Sequence, residues 1–312
     1  MRPLIISCPS HRALAEDIAR ELDSEVAPCR LERFPDGEYD VEIQASVRGQ
    51  RVFVVQSLGP PVGEHLLEVL LLADACRRAG AGAIAAIAPY VGYARQDRVT
   101  KEGQPLGARV LAAALATGGF SQVIAVDLHS PVIASCIEAP MAHLTAIPAM
   151  ATALRPCVDE DSVVVAPDLG AVRLAEAYSR ALDIPLAVAS KTRLSPVEVA
   201  VRSVVGDVRD KRPIVVDDMI STGTTVEATI EALLAHGCRR DVVIAATHGL
   251  FVGEAATRLA RPEIVRLLVT DSLPRASRAP ARLEVVRLAP LLAEAVRRLV
   301  GDRELDDLLA AR

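Results

Sequence analysis

The segment from Ile214 to Thr225, which reads IVVDDMISTGTT, restricts the fold of this chain more than any other segment. Its apolar residues predict a buried strand, its glycine and hydroxyl residues a tight loop, and the apolar spacing from Val226 onward a helix. Backbone N–H groups in such a loop, reinforced by the helix dipole, bind an anion. The adjacent acids Asp217 and Asp218 repel phosphate and suit sugar hydroxyls or a metal ion. The segment therefore predicts a site for a phosphorylated sugar; the structural alternative is a strand end followed by a helix cap.

Strand-like runs alternate with helical patterns along the chain. The strand-like runs cover residues 51–57, 83–88, 121–127 and 162–166, and helical spacing covers residues 64–79 and 171–182. This alternation predicts an α/β architecture with a mostly parallel sheet flanked by helices.

A faint internal duplication accompanies this alternation. Residues 48–90 and residues 213–248 both run strand, loop, helix, glycine, strand. Gly80 and Gly237 stand where a left-handed residue commonly ends a helix. We therefore expect two similar domains, residues 1–147 and 148–312, with the last helix packing back on the first domain.

Other predicted strand ends carry residues that suit a phosphorylated ligand. Asp127 and His129 could hold a metal ion or a metal-bound phosphate, and Asp168 repeats the pattern of an acid after a strand. Lys191 and Arg193 follow a predicted strand at residues 186–189, on a loop that could close over a polyphosphate. The alternatives are a structural histidine, a helix-capping aspartate and solvated surface charges. Since parallel strands end at one edge of a sheet, these strand ends together predict a ligand site more strongly than any one of them does alone.

The stretch at residues 89–98, which reads PYVGYARQDR, predicts a further ligand loop. Its proline, glycine and tyrosines follow a predicted strand, where α/β proteins bind ligands. Arg95 and Gln96 offer planar donors for a phosphate or the edge of a nucleobase. A solvated turn is the alternative.

Composition argues against several classes of partner. The net charge is −5 and no basic block occurs, so neither nucleic acid nor an anionic membrane is expected as a partner. The six cysteines are scattered without a C-x-x-C pair, which is typical of reduced thiols in a cytoplasmic protein. No apolar run reaches the roughly 18 residues of a membrane helix.

At these residues the chain resembles the ribose-phosphate pyrophosphokinases. The resemblance runs from Arg33 to Leu292, and its motifs are FPDGE, YARQDR, DLH, PD-x-G, K-x-R, the DDMISTGTT loop and THGLF. It implies two tandem domains of the type I phosphoribosyltransferase fold. It also implies transfer of the β,γ-pyrophosphoryl group of ATP to the anomeric hydroxyl of ribose 5-phosphate, with Mg²⁺ as cofactor, in a dimer-based homo-oligomer, either a hexamer or a tetramer.

The resemblance also implies roles for individual residues on the ATP side. The residues matching ATP contacts are Phe34, Asp36, Glu38, Arg95, Gln96 and His129. The first three would reach adenine from a neighbouring subunit. His129 and Asp168 would position magnesium and the ATP phosphates.

On the sugar side, the resemblance makes Lys191 and Arg193 the catalytic cations that stabilise the transferring group. Asp217 and Asp218 would hold the ribose hydroxyls. The 5-phosphate would be bound by Ser221, Thr222, Gly223, Thr224 and Thr225. Thr224 departs from the glycine common in this loop, and it requires a backbone conformation open to a β-branched residue.

Two other functions remain open at this stage. A phosphoribosyltransferase that consumes phosphoribosyl pyrophosphate would explain the loop at residues 221–225 but not Arg95, Gln96 or the second domain. A non-catalytic, synthetase-like regulatory subunit should have lost its catalytic cations or loop acids, whereas Lys191 and Asp217 are present.

Overall fold

The computed structural model describes residues 3–130, 132–193, 199–275 and 279–310, without the side chains of residues 190–193 and 199–202. Its contacts divide into two compact units. The first comprises Met1–Thr145, Ser272–Pro274 and Leu288–Arg312, and the second comprises Ala146–Asp271 and Arg275–Arg287. Each unit has its own largely parallel sheet flanked by helices, so the predicted α/β fold class is confirmed.

The strands are β1 (Leu4–Ser7), β2 (Cys29–Arg33), β3 (Tyr39–Ile43), β4 (Arg51–Val55), β5 (Ala83–Ile87), β6 (Gln122–Val126), β7 (Met141–Leu144), β8 (Ser162–Ala166), β9 (Leu186–Arg193), β10 (Val199–Val205), β11 (Arg212–Ile220), β12 (Val242–Gly249), β13 (Ile264–Thr270) and β14 (Leu283–Val286). The helices are α1 (Arg12–Glu21), α2 (Val62–Arg78), α3 (Gly107–Thr117), α4 (Val132–Cys136), α5 (Ile147–Leu154), α6 (Val172–Leu182), α7 (Thr224–Ala235), α8 (Ala255–Arg258) and α9 (Ala289–Val300).

The first unit contains a five-stranded sheet in the order β1-β4-β5-β6-β7, with every pair parallel. Its central strands are apolar on both faces because helices cover both sides. Leu72 on α2 and Leu111 on α3 pack with Val54 of β4 in one core. Strands β2 and β3 form a separate antiparallel hairpin, and α9 packs against α1.

The second unit contains a seven-stranded sheet in the order β10-β9-β8-β11-β12-β13-β14. Only the β9–β10 pair among these is antiparallel. Strand β11 lies between β8 and β12, so its carboxyl end meets theirs at the edge where α/β sheets bind ligands. Ile230 and Leu233 of α7 pack with Val215 of β11 and thereby hold that helix against the sheet.

The structure corrects the predicted ends of two strands and confirms the predicted conformation of two glycines. Strand β11 continues past its two acids, because Met219 and Ile220 pair with His248 and Gly249 of β12. Strand β9 likewise continues to Arg193, held by its antiparallel partner β10. Gly80 and Gly237 adopt the predicted left-handed conformation, with φ of +88° and +80°.

Candidate functional site

The loop between β11 and α7 has the conformation of an anion site. Gly223 takes φ +79° and precedes the first helical residue, Thr224. The left-handed turn therefore falls on glycine, and the β-branched Thr224 lies in helical backbone that accepts it. The hydroxyls of Thr222 and Thr224 lie 3.1 Å apart, and the four hydroxyl residues of the loop are partly exposed. A phosphate could thus approach the helix N-terminus and these hydroxyls together.

The back of this loop is held by neighbouring elements. The Arg258 guanidinium donates a 3.0 Å hydrogen bond to the Thr222 carbonyl and forms ion pairs with Glu254 and with Glu227 of α7. The Val252 N–H donates to the Ser221 carbonyl at 3.0 Å. These bonds engage carbonyl oxygens of the loop and fix its backbone at the N-terminus of α7. Sequence reasoning missed Arg258, since nothing in its local sequence marks it as a loop contact.

Asp217 and Asp218 are partly buried inside β11 rather than at its end. The Asp218 N–H donates to Asp217 Oδ1 at 3.0 Å. Burial, reinforced by the charges of Asp218 and Asp168, raises the pKa of Asp217 well above its ordinary value. The three carboxyl groups therefore act on one another electrostatically, which favours a ligand that donates hydrogen bonds or carries positive charge.

Asp168 follows β8 and caps the short turn Leu169–Ala171. Its Oδ1 accepts hydrogen bonds from the N–H groups of Gly170 at 2.8 Å and Ala171 at 3.2 Å. Asp168 thus has the capping role that was the alternative to ligand binding. Its charge nevertheless acts on Asp217, so the structure brings residue 168 and residues 217–218 to one site.

Lys191 and Arg193 lie within β9, opposite Val201 and Val199 of β10. The prediction that they stand on a loop after the strand is wrong, because the antiparallel pairing extends the strand through both residues. Their side chains and residues 194–198 lie outside the described part of the structure.

In the first unit, the tip of the β2–β3 hairpin carries Phe34, Asp36 and Glu38. The Phe34 side chain is 49% exposed. Asp36 Oδ1 accepts from the Glu38 N–H at 3.1 Å, and the Phe34 N–H donates to the Glu38 carbonyl at 2.7 Å. These bonds set the shape of the tip and leave an apolar ring accessible to a ligand.

Arg95 and Gln96 are exposed on the connection between β5 and α3. The Gln96 N–H donates to the Tyr93 carbonyl, and the Gln96 carbonyl accepts from the Ala108 N–H at the start of α3. Gly92 permits the close approach of this connection, since a Cβ there would lie 2.6 Å from the Leu58 carbonyl. The backbone of the connection is therefore fixed, and the Gln96 side chain, although exposed, lies against Gly107, where a Cβ would clash with its Oε1.

The connection after β6 contains a buried Asp127, with φ +38°, and an exposed His129. Another histidine, His143 of β7, accepts a 2.8 Å hydrogen bond at Nε2 from the Leu128 N–H. Sequence reasoning missed His143, although one imidazole in an otherwise apolar strand was a signal. His129 lies in the first unit and Asp168 in the second.

Within the described ranges, no group of three or more His, Cys, Asp or Glu side chains is arranged to hold a metal ion by itself. In that part of the chain no helix combines the length and apolar character needed to cross a bilayer.

Comparisons with known proteins cover both units. The family described as the N-terminal domain of ribose phosphate pyrophosphokinase matches residues 3–119, and the phosphoribosyl transferase domain matches residues 146–259. The ribose-phosphate pyrophosphokinase of Aquifex aeolicus is 40% identical over 296 residues, 95% of each chain. That of Streptomyces coelicolor is 38% identical over 98% of this chain and 95% of that protein. The crystal structure of phosphoribosylpyrophosphate synthetase from Mycobacterium smegmatis matches with a TM-score of 0.89 and 37% identity, covering 97% of this chain and 100% of that chain.

Proposed function

We propose, since this chain belongs to the ribose-phosphate pyrophosphokinase family, that its two groups of candidate residues bind the two substrates of one transfer reaction. The enzyme transfers the pyrophosphoryl group of ATP to the anomeric hydroxyl of ribose 5-phosphate and produces phosphoribosyl pyrophosphate and AMP. We infer three further points: which residues bind each substrate, which cofactor the enzyme uses, and how its subunits assemble.

The ribose 5-phosphate site is assigned to the carboxyl end of β11 and the N-terminus of α7. One observation carries this assignment: the left-handed Gly223 places the loop at a helix N-terminus, a few residues after two adjacent acids, and burial and the charge of Asp218 raise the pKa of Asp217. The N–H groups and hydroxyls of residues 221–225 would bind the 5-phosphate. Asp217 and Asp218 would accept hydrogen bonds from ribose hydroxyls and so orient the anomeric oxygen.

The ATP site is assigned to residues of the first unit. Phe34, exposed at its hairpin tip, would contact the adenine face, with Asp36 and Glu38 shaping the tip. Arg95 and Gln96 would contribute donors to the nucleotide. From the second unit, Lys191 and Arg193 would offset charge on the transferring group, which is the main task of a protein in this kind of transfer.

The family implies Mg²⁺, and the donor chemistry here fits it. Carboxylate oxygens are its preferred protein ligands, and it commonly binds through one or two of them plus substrate phosphates. Asp168 is such a donor, and its charge already acts on Asp217 nearby. His129 would contact the hydrated ion or a phosphate. When bound, the ion neutralises phosphate charge. The protein supplies in-line positioning, and no dedicated general base is assigned.

The remaining proposals concern the oligomeric assembly and the cellular compartment of the protein. We infer a dimer-based homo-oligomer, either a hexamer or a tetramer, in which the β2–β3 hairpin serves a neighbouring subunit. The cysteines of the described residues are all free thiols, which supports a reducing, cytoplasmic setting.

The test is AMP release from ATP and Mg²⁺ with and without ribose 5-phosphate. We expect AMP only with the sugar, and we expect Lys191→Ala to abolish it. Lys211→Ala is the matched control, because Lys211 pairs with Asp207 away from the site. Sugar binding without AMP would favour the regulatory subunit. Pyrophosphate release from phosphoribosyl pyrophosphate and a base, again without AMP, would favour the phosphoribosyltransferase.

A further inference from the structure

The connection that carries His129 starts with a backbone conformation that needs support. Asp127 is buried and has φ +38°, in the left-handed region that residues other than glycine seldom adopt. Such a residue keeps its conformation only where surrounding contacts over-determine it. The position of His129, two residues further on, therefore depends on what holds residues 127 and 128.

Strand β7 provides that support through two hydrogen bonds. The Asp127 N–H donates to the Leu144 carbonyl at 2.9 Å, which continues the sheet by one residue. The Leu128 N–H has already left the sheet, and it donates to His143 Nε2 at 2.8 Å instead. An accepting Nε2 carries no proton, so the neutral ring of His143 has its proton on Nδ1. The imidazole thus replaces a backbone acceptor at the first residue past the strand.

The C-terminal segment holds His143 from the opposite side. The Ala310 N–H donates to the His143 carbonyl at 2.8 Å, and the Thr145 N–H donates to the Leu308 carbonyl at 3.0 Å. Leu309 and Leu144 form an antiparallel bridge. The segment is tied to α9 by Arg298, which forms two hydrogen bonds with Asp307, the longer 3.0 Å, and one of 3.2 Å with the Glu304 carbonyl.

We propose that His143 is a positioning residue for His129, and that the segment 308–310 keeps His143 in place. The inference rests on the proposed role of His129 toward the ATP phosphates and the metal ion. It makes the C-terminal segment part of the nucleotide site without contact to the nucleotide. Both supports belong to the first unit, so their loss should weaken ATP binding and spare ribose 5-phosphate binding.

The experiment compares three variants in the AMP-release assay and in calorimetric titrations with MgATP. His143→Leu removes the acceptor, and we expect the KM and Kd for ATP to rise about tenfold, with the KM for ribose 5-phosphate changed less than about twofold. His143→Gln places an amide oxygen near the position of Nε2 and should restore most of the affinity. Ala310→Pro removes the N–H that holds the His143 carbonyl and should shift ATP binding in the same direction, by a smaller factor.

His236→Leu is the matched control, because that ring also bonds a backbone group, here the Ala232 carbonyl, and it lies in the second unit. It should leave both KM values unchanged. A His143→Leu variant with unchanged ATP affinity, or a Gln variant no better than Leu, would overturn the inference while the wild type stays active. A wild type that binds ATP but releases no AMP would instead count against the proposed function, and the calorimetric comparison would still decide the role of His143.

Discussion

Gly223 sets the geometry of the candidate phosphate loop at the scale of a single residue. Its φ of +79° turns the chain from β11 into α7. A Cβ at this position would meet Arg258 Cβ and Leu259 Cγ at 3.5 Å, which is ordinary contact. The glycine is therefore required by backbone conformation rather than by space. A side chain there would strain or rotate the turn, and the N–H groups would leave the phosphate position.

We predict that Gly223→Ala destabilises the folded state by about 1–2 kcal/mol and raises the KM for ribose 5-phosphate about fivefold or more. Gly237→Ala is the control, since Gly237 has φ +80° and also flanks α7, at the other end. Thermal unfolding and steady-state kinetics should show equal losses of stability, with the KM effect confined to Gly223. Equal KM values in the two variants would argue against the loop as the phosphate site.

At the scale of elements, Arg258 joins α8 to the loop and to α7. It donates to the Thr222 carbonyl and pairs with Glu227 in the first turn of α7. Arg261, three residues on, pairs with Glu231 of the same helix and with Glu263 but forms no loop bond in the described structure. The two arginines are similarly exposed, with side-chain exposures of 25% and 23%. Substitutions of the two arginines can therefore distinguish loss of ion pairs with α7, which affects both, from loss of support for the loop, which affects Arg258 alone.

We predict that Arg258→Met raises the KM for ribose 5-phosphate about tenfold, because the loop carbonyl loses a charged donor. Arg261→Met should lose similar stability without that effect. Both variants should keep the wild-type KM for ATP. A parallel rise in KM for both substrates in Arg258→Met would indicate general loosening of the second unit.

An ion-pair cluster connects the amino ends of β11 and β12 with the turn before β8. Arg212 and Arg239 each pair with Asp159 and Asp241. Burial opposes ionisation of Asp241, but hydrogen bonds from the two arginines outweigh it and lower its pKa below the ordinary 3.8. A hydrogen bond from Ser162, with the same arginines, lowers the pKa of Asp159. Both carboxylates therefore stabilise the fold above pH 3.8, and this is lost as pH falls through the lower folded pKa values.

We predict that Asp241→Asn lowers the free energy of unfolding by about 2 kcal/mol at neutral pH. The deficit should persist to about pH 5 and shrink below about pH 4, where the wild type also loses the charge. Urea unfolding at these pH values measures it. Asp207→Asn, which removes an exposed pair with Lys211, should show little effect at any pH. A deficit for Asp241→Asn that is independent of pH would mean that packing, not charge, is lost.

The elements also show what local sequence can predict. Apolar runs predicted β4, β5, β6 and β8 and the helices α2 and α6, and Gly80, Gly223 and Gly237 marked turns. Strand ends did not follow, because β11 and β9 are prolonged by pairing with β12 and β10, which the local pattern does not contain. Arg258 and His143 escaped prediction for the same reason, since their hydrogen bonds reach 36 and 15 residues along the chain.

At the scale of the whole molecule, assembly decides whether one chain contains a complete site. The β2–β3 hairpin ends in an exposed Phe34, while Arg33, the last residue of β2 before the tip, pairs with Glu64 of α2 at 3.0 Å. The hairpin is thus anchored to its own subunit, with its tip free to serve another. If it does, two inactive variants can complement each other, because a mixed pair contains one intact combination of a hairpin with Phe34 and a strand β9 with Lys191.

We predict that Phe34→Ala and Lys191→Ala, each inactive alone, regain activity when unfolded and refolded together. With random pairing, half of the dimers are mixed and one of their two sites is intact, so about a quarter of wild-type activity should return. If the hairpin serves its own subunit, every site in the mixture carries a defect and no activity returns. Refolding Lys191→Ala with an equal amount of wild type provides the control. Activity should then follow the fraction of chains that keep Lys191, about one half. Recovery near a quarter would place the adenine contacts across a subunit boundary, whereas an inactive mixture beside an active control would place them within one chain.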